Sequence, residues 1–432
     1  MTKRRFLAVL LLIFTLLTAC DPTPALPGSP EPTPTPSPSP TLPPIPTARP
    51  TPDPVEDLLA RMSTEERVGQ LLVAGLEGTR PGEDGAKLLR EYQVGGIILF
   101  GRNIESAGQL VGLLNGLKGL NAGRVPLFLC VDQEGGRVDR MPPEVDRTPK
   151  ALTVGETDST ETARRYGALL AEECAAFGFN MDFAPCLDIW SNPENTVIGD
   201  RAFGTDWRRV RDMGWAAVEA ILKGGAVVPV VKHFPGHGDT LADSHTDLPV
   251  VDKTLEELWR SELEPYRLAL SGGQPWEKLD PSLPAVMVGH ILLTQADPER
   301  PASLSPAVVT DLLRKEFVFD GVVVTDDLTM GAISNTYGMG EAAVLAVEAG
   351  CDLLLVCHGL DNLEEARSAL LAAVESGRIS EERLNESVRR LLTLKQDFGV
   401  SDTPCEPPDV DALNAAIAAL NAAIAAPAKD PA

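Results

Sequence analysis

The sequence contains few basic residues, and this limits the partners that it can bind. Its 432 residues include 38 lysines and arginines against 62 aspartates and glutamates, which gives a formal net charge of -24. A nucleic-acid-binding surface requires clustered positive charge, and no such cluster follows the first five residues. The composition therefore excludes a nucleic-acid partner. The excess of acidic residues is typical of an exported protein that its negative charge keeps in solution.

The sequence also lacks the spacings that metal sites use. None of its seven cysteines forms a CxxC pair, and no HExxH or HxH pattern is present. We therefore expect no zinc site and no other metal. The cysteines beside apolar runs indicate buried thiols, and one disulfide is left open. A metal-dependent hydrolase is the weaker alternative, with five candidate ligands in one loop: His233, His237, Asp239, Asp243 and His245.

Long apolar runs are absent except near the N-terminus. Basic residues 3–5 precede an apolar segment at 6–17, which is too short for a transmembrane helix but suits a signal peptide. The segment ends in Leu-Thr-Ala-Cys at 17–20, which resembles a bacterial lipobox. We expect residues 1–19 to be removed and Cys20 to carry a lipid anchor. An ordinary signal peptide with an incidental cysteine is the alternative.

The composition divides the remaining chain into three parts. Residues 20–54 are rich in proline, threonine and serine, which predicts an extended linker. Together with the signal-peptide-like segment and Cys20, this linker predicts an exported lipoprotein that is anchored to the cell envelope. Residues 55–398 form the predicted catalytic domain. Residues 399–432 are an alanine-rich tail in which one heptad occurs twice, from Leu413 and from Leu420. Two heptads are too few for a coiled coil, so we expect a docked helix, with an oligomerisation element as the alternative.

Eight apolar, strand-like runs alternate with helix-like segments in the catalytic domain. Such runs indicate a parallel sheet that helices cover on both faces. Eight repeats favour an α/β fold of the (β/α)8, TIM-barrel type over an open sheet. The predicted strands lie at 69–74, 95–100, 126–132, 180–188, 227–233, 285–290, 321–327 and 352–357.

Polar residues collect where these strands end. The loop at 232–245 follows a buried strand and holds three of the five histidines. In a (β/α)8 barrel the active site is built at the C-terminal ends of the strands, so this loop is the predicted centre. For His290 and His358, which lie at the same end, a structural role at the rim is equally open.

Two groups in this arrangement can perform chemistry. Asp243 precedes His245 by two positions, and a carboxylate beside an imidazole orients the ring, so His245 is a candidate general acid or base. Asp326 follows an apolar strand at the barrel mouth, where it could act as a nucleophile, a base or a metal ligand. Asp327 points to the opposite face of the strand, so we expect only one of the two to meet substrate.

Carboxylates and guanidinium groups follow the third and fourth predicted strands. The stretches at 132–140 and 199–204 supply them, together with glycines that allow close backbone approach. A polar pocket of this kind suits a sugar with many hydroxyl groups. For Arg137, a salt bridge at the rim is an equally good interpretation.

Several of these motifs together resemble glycoside hydrolase family 3, in its single-barrel β-N-acetylhexosaminidase branch. The resemblance covers residues 55–398 and implies retaining hydrolysis of terminal, non-reducing β-N-acetylglucosaminyl residues, from peptidoglycan fragments or chitooligosaccharides, on a (β/α)8 barrel without a cofactor. The motifs are VDQEGGRV at 131–138, GDRAFG at 199–204, KHFPGHG at 232–238, DSH at 243–245 and TDDLTM at 325–330.

The resemblance also implies roles for individual residues. Asp326 would be the nucleophile that forms a glycosyl-enzyme intermediate. His245, paired with Asp243, would be the general acid/base in place of the usual second carboxylate. The positions that bind the sugar in this family match Asp132, Arg140, Arg201, Lys232 and His233.

Three alternatives to this reaction stay open. A neutral imidazole does not repel an incoming anion, so phosphate could replace water and give phosphorolysis. A β-glucosidase of the same family is the second alternative, and the DSH loop argues against it. The third is an inactive, glycan-binding lipoprotein, although a pure binder would need neither Asp326 nor His245.

Overall fold

The structure is a computed structural model that describes residues 53–241, 243–270 and 283–426. The predicted signal peptide, Cys20 and the linker up to residue 52 lie outside the described residues. No helix in the described ranges is long and apolar enough to cross a membrane.

Eight parallel strands close into a barrel around an apolar core, as the sequence predicts. The strands of the described residues are β1 Leu72–Gly75, β2 Gly96–Ile98, β3 Phe128–Val131, β4 Met181–Asp182, β5 Val228–Phe234, β6 Val250–Val251, β7 Ala285–Val288, β8 Leu292–Leu293, β9 Val322–Asp327 and β10 Leu353–Val356. The barrel order is β1-β10-β9-β7-β5-β4-β3-β2. Each barrel strand lies within a predicted run or overlaps it, so the (β/α)8 prediction is confirmed.

One small sheet was not predicted. Strands β6 and β8 pair in parallel outside the barrel, with Val250 opposite Leu292 and Val251 opposite Leu293. The first strand follows the histidine-rich loop after β5, and the second follows β7. The pair therefore ties the far end of that loop to the neighbouring strand connection.

Helices alternate with the barrel strands. They are α1 Pro54–Leu59, α2 Thr64–Gln70, α3 Gly82–Lys87, α4 Ala107–Asn121, α5 Ala151–Glu156, α6 Thr160–Phe177, α7 Trp207–Gly224, α8 Leu255–Trp259, α9 Glu264–Leu270, α10 Gly331–Ser334, α11 Met339–Ala349, α12 Leu360–Glu375, α13 Glu381–Asp397 and α14 Val410–Ala425. Residues Leu88–Tyr92 and Ala307–Glu316 are π-helical, and three short 3-10 turns occur at Gly101–Asn103, Gly199–Arg201 and Ala302–Leu304.

Helices α6 and α7 show how the sequence sets the outer layer. The Asp206 side chain accepts hydrogen bonds from the backbone N–H groups of Arg208 and Arg209, which caps the start of α7. A Cβ on Gly167 of α6 would lie 2.2 Å from the carbonyl oxygen of Ala217 in α7. Only glycine allows the two backbones to approach this closely.

The C-terminal helix α14 docks on the barrel. Leu413, Ile417 and Leu420, which the heptad places on one face, are buried, and α14 packs against α6. Asn414 Nδ2 donates to the carbonyl oxygen of Glu144 at 3.0 Å, so the helix also contacts the loop after β3. The predicted docked helix is confirmed.

The cysteines of the described residues are all free. Cys130, Cys174, Cys186, Cys351 and Cys357 are buried, and Cys405 is half-buried. The prediction of buried thiols is therefore confirmed, and no disulfide forms within the described ranges.

Helix α1 lies at the end of the barrel where the strands begin. It packs against α13, and Glu56 forms an ion pair with Arg389. Arg389 lines a cavity of about 680 Å³ together with Gly225, Pro284 and Gly321. Those three glycine and proline residues shortly precede β5, β7 and β9. No catalytic candidate of the sequence analysis lines this cavity.

Candidate active site

A second cavity, of about 440 Å³, opens at the C-terminal ends of the barrel strands. Seven of the eight predicted catalytic and sugar-binding residues line it, and the eighth, Asp243, is hydrogen-bonded to one of them. The structure therefore brings the whole predicted set together. The seven lining residues are Asp132, Arg140, Arg201, Lys232, His233, His245 and Asp326.

A network of alternating charges forms one wall of the cavity. Lys232 Nζ lies 2.6 Å from Asp132 Oδ1 and 2.6 Å from Glu134 Oε1. Arg201 makes a two-pronged contact with Glu134, from Nε at 2.7 Å and from Nη2 at 2.8 Å. The network holds the Lys232 and Arg201 cations beside carboxylates. Donors and acceptors placed side by side in this way can bind a sugar hydroxyl group through two hydrogen bonds.

Opposite charges hold Glu134 and Lys232 of this wall in their charged forms. Burial acts to raise the pKa of Glu134, but Arg201 and Lys232 outweigh burial and hold that pKa well below its usual range. Burial acts to lower the pKa of Lys232, but Asp132 and Glu134 raise it above its usual range. The sequence analysis gave Glu134 no role, although the residue lies inside a motif that it singled out.

Arg140 lies at the mouth of the cavity with one unpaired donor. Its backbone N–H donates to Gln133 Oε1 at 2.7 Å, which fixes the loop after β3. Its side-chain Nε is buried and has no hydrogen-bond partner among the described residues. A buried, unpaired donor is unfavourable unless a ligand accepts from it, so this atom supports the predicted sugar contact.

His233 is oriented by a carboxylate that the sequence analysis did not assign. Asp188, which follows β4, accepts from His233 Nδ1 at 2.6 Å. Burial acts to raise the pKa of Asp188, but His233 and His237 hold it well below its usual range. Because the Nδ1 proton faces this carboxylate, Nε2 is the ring nitrogen left for a ligand.

Asp326 sits half-buried at the end of β9. Its Oδ1 accepts the backbone N–H of Asp327 at 2.8 Å. Burial acts to raise its pKa, but the nearby His290 and His233 rings, followed by that N–H and Lys232, lower it. The carboxylate is therefore ionised at neutral pH, as a nucleophile must be.

Asp327 is engaged in structural contacts instead. Its Oδ1 accepts from the N–H groups of Thr329 and Cys357, each at 3.0 Å, and its Oδ2 accepts from the Thr329 hydroxyl at 2.6 Å. These bonds join β9 to β10. Of the two adjacent carboxylates, Asp326 is the one with capacity left for a substrate, which agrees with the expectation from strand geometry.

His245 and Asp243 form a pair on the loop between β5 and β6. His245 Nδ1 lies 2.7 Å from Asp243 Oδ1, and the backbone N–H of His245 donates to the same oxygen at 2.9 Å. Burial acts to raise the pKa of Asp243, but these bonds to His245 lower it. The imidazole is 67% exposed. It can therefore exchange protons with both solvent and substrate.

The remaining histidines and Arg137 have structural contacts. His290 is fully buried between Ser303 Oγ at 2.7 Å and the carbonyl oxygen of Asp327 at 2.9 Å. His358 stacks on Phe100 at the rim. Arg137 pairs with Asp200 and donates to three carbonyl groups at 196–198, so it braces the rim.

The five candidate ligands of a metal-dependent hydrolase do not form a metal-binding cluster among the described residues. One cluster of metal-ligand type occurs in the described ranges, and it consists of Cys186, Asp188 and His233. Asp188 Oδ2 lies 2.6 Å from His233 Nδ1 and 3.0 Å from Cys186 Sγ. Ligand atoms around tetrahedral zinc lie about 3.3 Å or more apart. The spacing therefore fits hydrogen bonds better than a metal ion.

The fold and the site together define a barrel enzyme whose pocket is built for a polyhydroxylated substrate. The model of the glycosyl hydrolase family 3 N terminal domain matches residues 63–394. The chain belongs to glycosyl hydrolase family 3, and it is a glycoside hydrolase.

Known relatives and solved structures agree with this family. A β-hexosaminidase from Thiobacillus denitrificans is 36% identical over 305 residues, which cover 69% of this chain and 81% of that protein. β-Hexosaminidase A from Pseudoalteromonas piscicida is 32% identical over 326 residues, which cover 72% of this chain and 54% of that protein. The chain thus spans about half the length of the second relative.

A solved structure shows the same architecture. It is the glycoside hydrolase family 3 β-N-acetylglucosaminidase from Paenibacillus sp. str. FPU-7, with a TM-score of 0.77 and 43% sequence identity. The similarity covers 83% of this chain and 68% of that chain.

Proposed function

We propose that this protein is a retaining, exo-acting β-N-acetylhexosaminidase that removes terminal, non-reducing β-N-acetylglucosaminyl residues. The observation that carries the proposal is one cavity that joins Asp326, the Asp243–His245 pair and the charged wall around Lys232. The names of the related β-hexosaminidases and of the similar β-N-acetylglucosaminidase support the same reaction.

The charged wall would bind the hydroxyl groups of the terminal sugar. Asp132 and Lys232 offer an acceptor and a donor 2.6 Å apart, so one hydroxyl group can bond to both. Arg201 and the unpaired Nε of Arg140 add donors around the same space, and Nε2 of His233, whose Nδ1 carries the proton, adds an acceptor. A cavity of about 440 Å³ fits one sugar ring and part of the next, which suits removal of a terminal residue.

In the first half-reaction Asp326 acts as nucleophile. A carboxylate oxygen of Asp326 bonds to the anomeric carbon, and the bond from that carbon to the leaving oxygen breaks. Protonated His245 gives its Nε2 proton to the leaving oxygen, and Asp243 stabilises the imidazolium before the transfer. The products are a glycosyl-enzyme ester and the released alcohol or sugar.

In the second half-reaction water replaces the leaving group. Neutral His245 takes a proton from water, whose oxygen bonds to the anomeric carbon while the ester bond to Asp326 breaks. The carboxylate and the imidazolium are both regenerated. Two displacements at one carbon give overall retention of configuration.

The proposed substrates are peptidoglycan fragments or chitooligosaccharides at the cell envelope. The N-terminal sequence supports this location, because a signal-peptide-like segment, Cys20 and a proline-rich linker are typical of an exported bacterial lipoprotein. Labelling of the intact protein in cells with a radioactive fatty acid tests the anchor, and Cys20→Ala should abolish the label.

The reaction is tested by hydrolysis of a chromogenic β-N-acetylglucosaminide and of the matching β-glucoside. Both substrates are assayed in phosphate buffer and in buffer without phosphate. Wild type should cut only the N-acetyl substrate. Asp326→Ala should lose about 10³-fold or more in kcat. His245→Ala should change kcat/KM, which reports the first half-reaction, little for this activated leaving group, but should lower it by about 10²–10⁴-fold for a disaccharide.

Each of the other outcomes identifies an alternative function. Sugar 1-phosphate formed in phosphate buffer would indicate phosphorolysis. Faster cleavage of the glucoside would indicate a β-glucosidase. Binding of the sugar by wild type without cleavage of either substrate would contradict the proposal and indicate a glycan-binding protein.

A further inference from the structure

A chain of hydrogen bonds links His233, one of the predicted sugar-binding residues, to the loop that carries His245. The Asp188 carboxylate accepts from His233 Nδ1 through one oxygen and from the backbone N–H of His237 through the other, each at 2.6 Å. The His237 ring then lies 2.8 Å from Thr240 Oγ1 and 3.2 Å from Ser244 Oγ. Ser244 is the residue between Asp243 and His245.

The His237 ring is buried and uncharged. Burial and the neighbouring His233 lower the pKa of His237 to about 4, so at neutral pH it carries one N–H group. The hydroxyl of Thr240 donates to the carbonyl oxygen of His237 at 2.9 Å, so its oxygen accepts the proton on Nδ1. Nε2 is then left as an acceptor, and the Ser244 hydroxyl donates to it.

Ser244 is the point at which the exposed loop enters the protein interior. Ser244 is 2% exposed, whereas the side chains of Asp243 and His245 are 47% and 67% exposed. The carbonyl groups of Ser244 and His245 are held from α10, where Ala332 N–H donates to the former and Gly331 N–H to the latter, each at 3.1 Å. The hydrogen bond between the Ser244 hydroxyl and His237 Nε2 adds a side-chain contact to these two backbone bonds.

We propose that His237 and Ser244 are positioning residues for His245. The Ser244 hydroxyl bonded to His237 Nε2 sets where the Asp243–His245 pair stands over the cavity. Asp188 binds both His233 and the backbone of His237. The same carboxylate therefore holds a predicted sugar-binding residue and, through His237 and Ser244, the loop that carries the proton donor. The inference rests on the proposed function, since it assumes that His245 transfers the proton to the leaving group.

The variant Ser244→Ala removes only the hydroxyl that makes this bond. A displaced His245 should slow the reactions that need a proton and spare those that do not. The second half-reaction needs His245 as a base whichever group has left, so the two substrates are compared by kcat/KM, which reports the first half-reaction. We expect kcat/KM for a disaccharide, a poor leaving group, to fall by about 10-fold or more, which is part of the total contribution of a general acid. For an activated aryl leaving group the fall should be less than about 3-fold.

A matched control removes the same group from a neighbouring loop. Ser191 is exposed, and its hydroxyl contacts Asp239 at 3.4 Å without touching His237. Ser191→Ala should leave both rates unchanged. In a His245→Ala background, Ser244→Ala should have almost no further effect on either substrate. Equal losses on both leaving groups, or additive losses in the double variant, would overturn the proposal.

Hydrogen exchange separates this inference from the proposed function. The N–H groups of Thr246 and Asp247 donate to the carbonyl oxygen of Asp243, so they report on the loop directly. They should exchange faster in Ser244→Ala than in wild type and Ser191→Ala. If wild type cleaves no substrate, the proposed function fails, while unchanged exchange in Ser244→Ala would refute the anchor by itself.

Discussion

Glu134 is the residue on which the charged wall depends. It bonds to Lys232 and to Arg201, and all three side chains are buried or nearly so. Removing one charge from such a network leaves the others without compensation in a medium that solvates them poorly. We expect Glu134→Gln to lower the free energy of unfolding by about 3 kcal/mol and to raise KM for the N-acetyl substrate.

Chemical denaturation checks this value against a surface pair. Asp200 forms ion pairs with Arg137 and Lys150, but all three side chains are at least 31% exposed. Asp200→Asn should therefore change the free energy of unfolding by less than about 1 kcal/mol. A similar loss in both variants would mean that the buried network is no more important than the rim.

The sequence motifs point to Asp326 and His245, the proposed reacting groups, but not to the residues that support the cavity around them. Asp326 and His245 lie in long motifs at strand ends, where residue type and position both point to chemistry. Glu134 and Asp188 lie in the same strand-end stretches, but their roles depend on partners 67 and 45 positions away. Only the closed barrel brings those pairs together, so spacing along the chain gave no signal.

Helix α13 carries a buried lysine at the opposite side of the molecule. Lys395 Nζ donates to Gln70 Oε1 at 2.7 Å and to the carbonyl oxygen of Gly95 at 3.0 Å. Burial lowers the pKa of Lys395 to about 7. In the unfolded chain the amine has its usual pKa of about 10.4. The unfolded state therefore binds more protons between these two values, and stability rises with pH there.

Replacing the amine should remove this dependence. From pH 8 to pH 9.5 the free energy of unfolding of wild type should rise by about 2 kcal/mol relative to Lys395→Met. Chemical denaturation at a series of pH values measures the difference. Parallel pH profiles for the two proteins would show that the amine stays protonated in the folded state.

At the level of elements, periodicity predicted the barrel strands and missed two local features. The β6–β8 pair has only two residues in each strand, which is too short for any alternation to appear. The segment from Leu255 to Leu270 is divided into two short helices, α8 and α9, because the chain turns between Trp259 and Glu264. Long-range pairing and tertiary packing decide such features, and neither has a local pattern.

The whole molecule carries a strong excess of negative charge. A net charge of -24 creates a repulsive potential for anionic substrates, and dissolved salt screens it. If peptidoglycan fragments with free carboxylates are cleaved, their kcat/KM should rise by about twofold or more between 20 and 200 mM salt. A neutral chitobioside is the control and should show no change.

A falling rate for the anionic fragment would contradict this prediction. It would mean that Lys232, Arg201 and Arg140 create a positive local potential that outweighs the acidic surface. Initial rates at low substrate concentration measure kcat/KM directly, so both substrates can be compared in one salt series.

Helix α1 lies at the end of the barrel opposite to the candidate active site. The chain enters the barrel beside Arg389, at the end where the strands begin, whereas the cavity with Asp326 opens at the other end. A tether joined at residue 53 would therefore attach at the end of the barrel opposite to the substrate cavity. If residue 20 is held at a lipid surface, this attachment leaves the substrate opening accessible to glycans that approach from the surroundings.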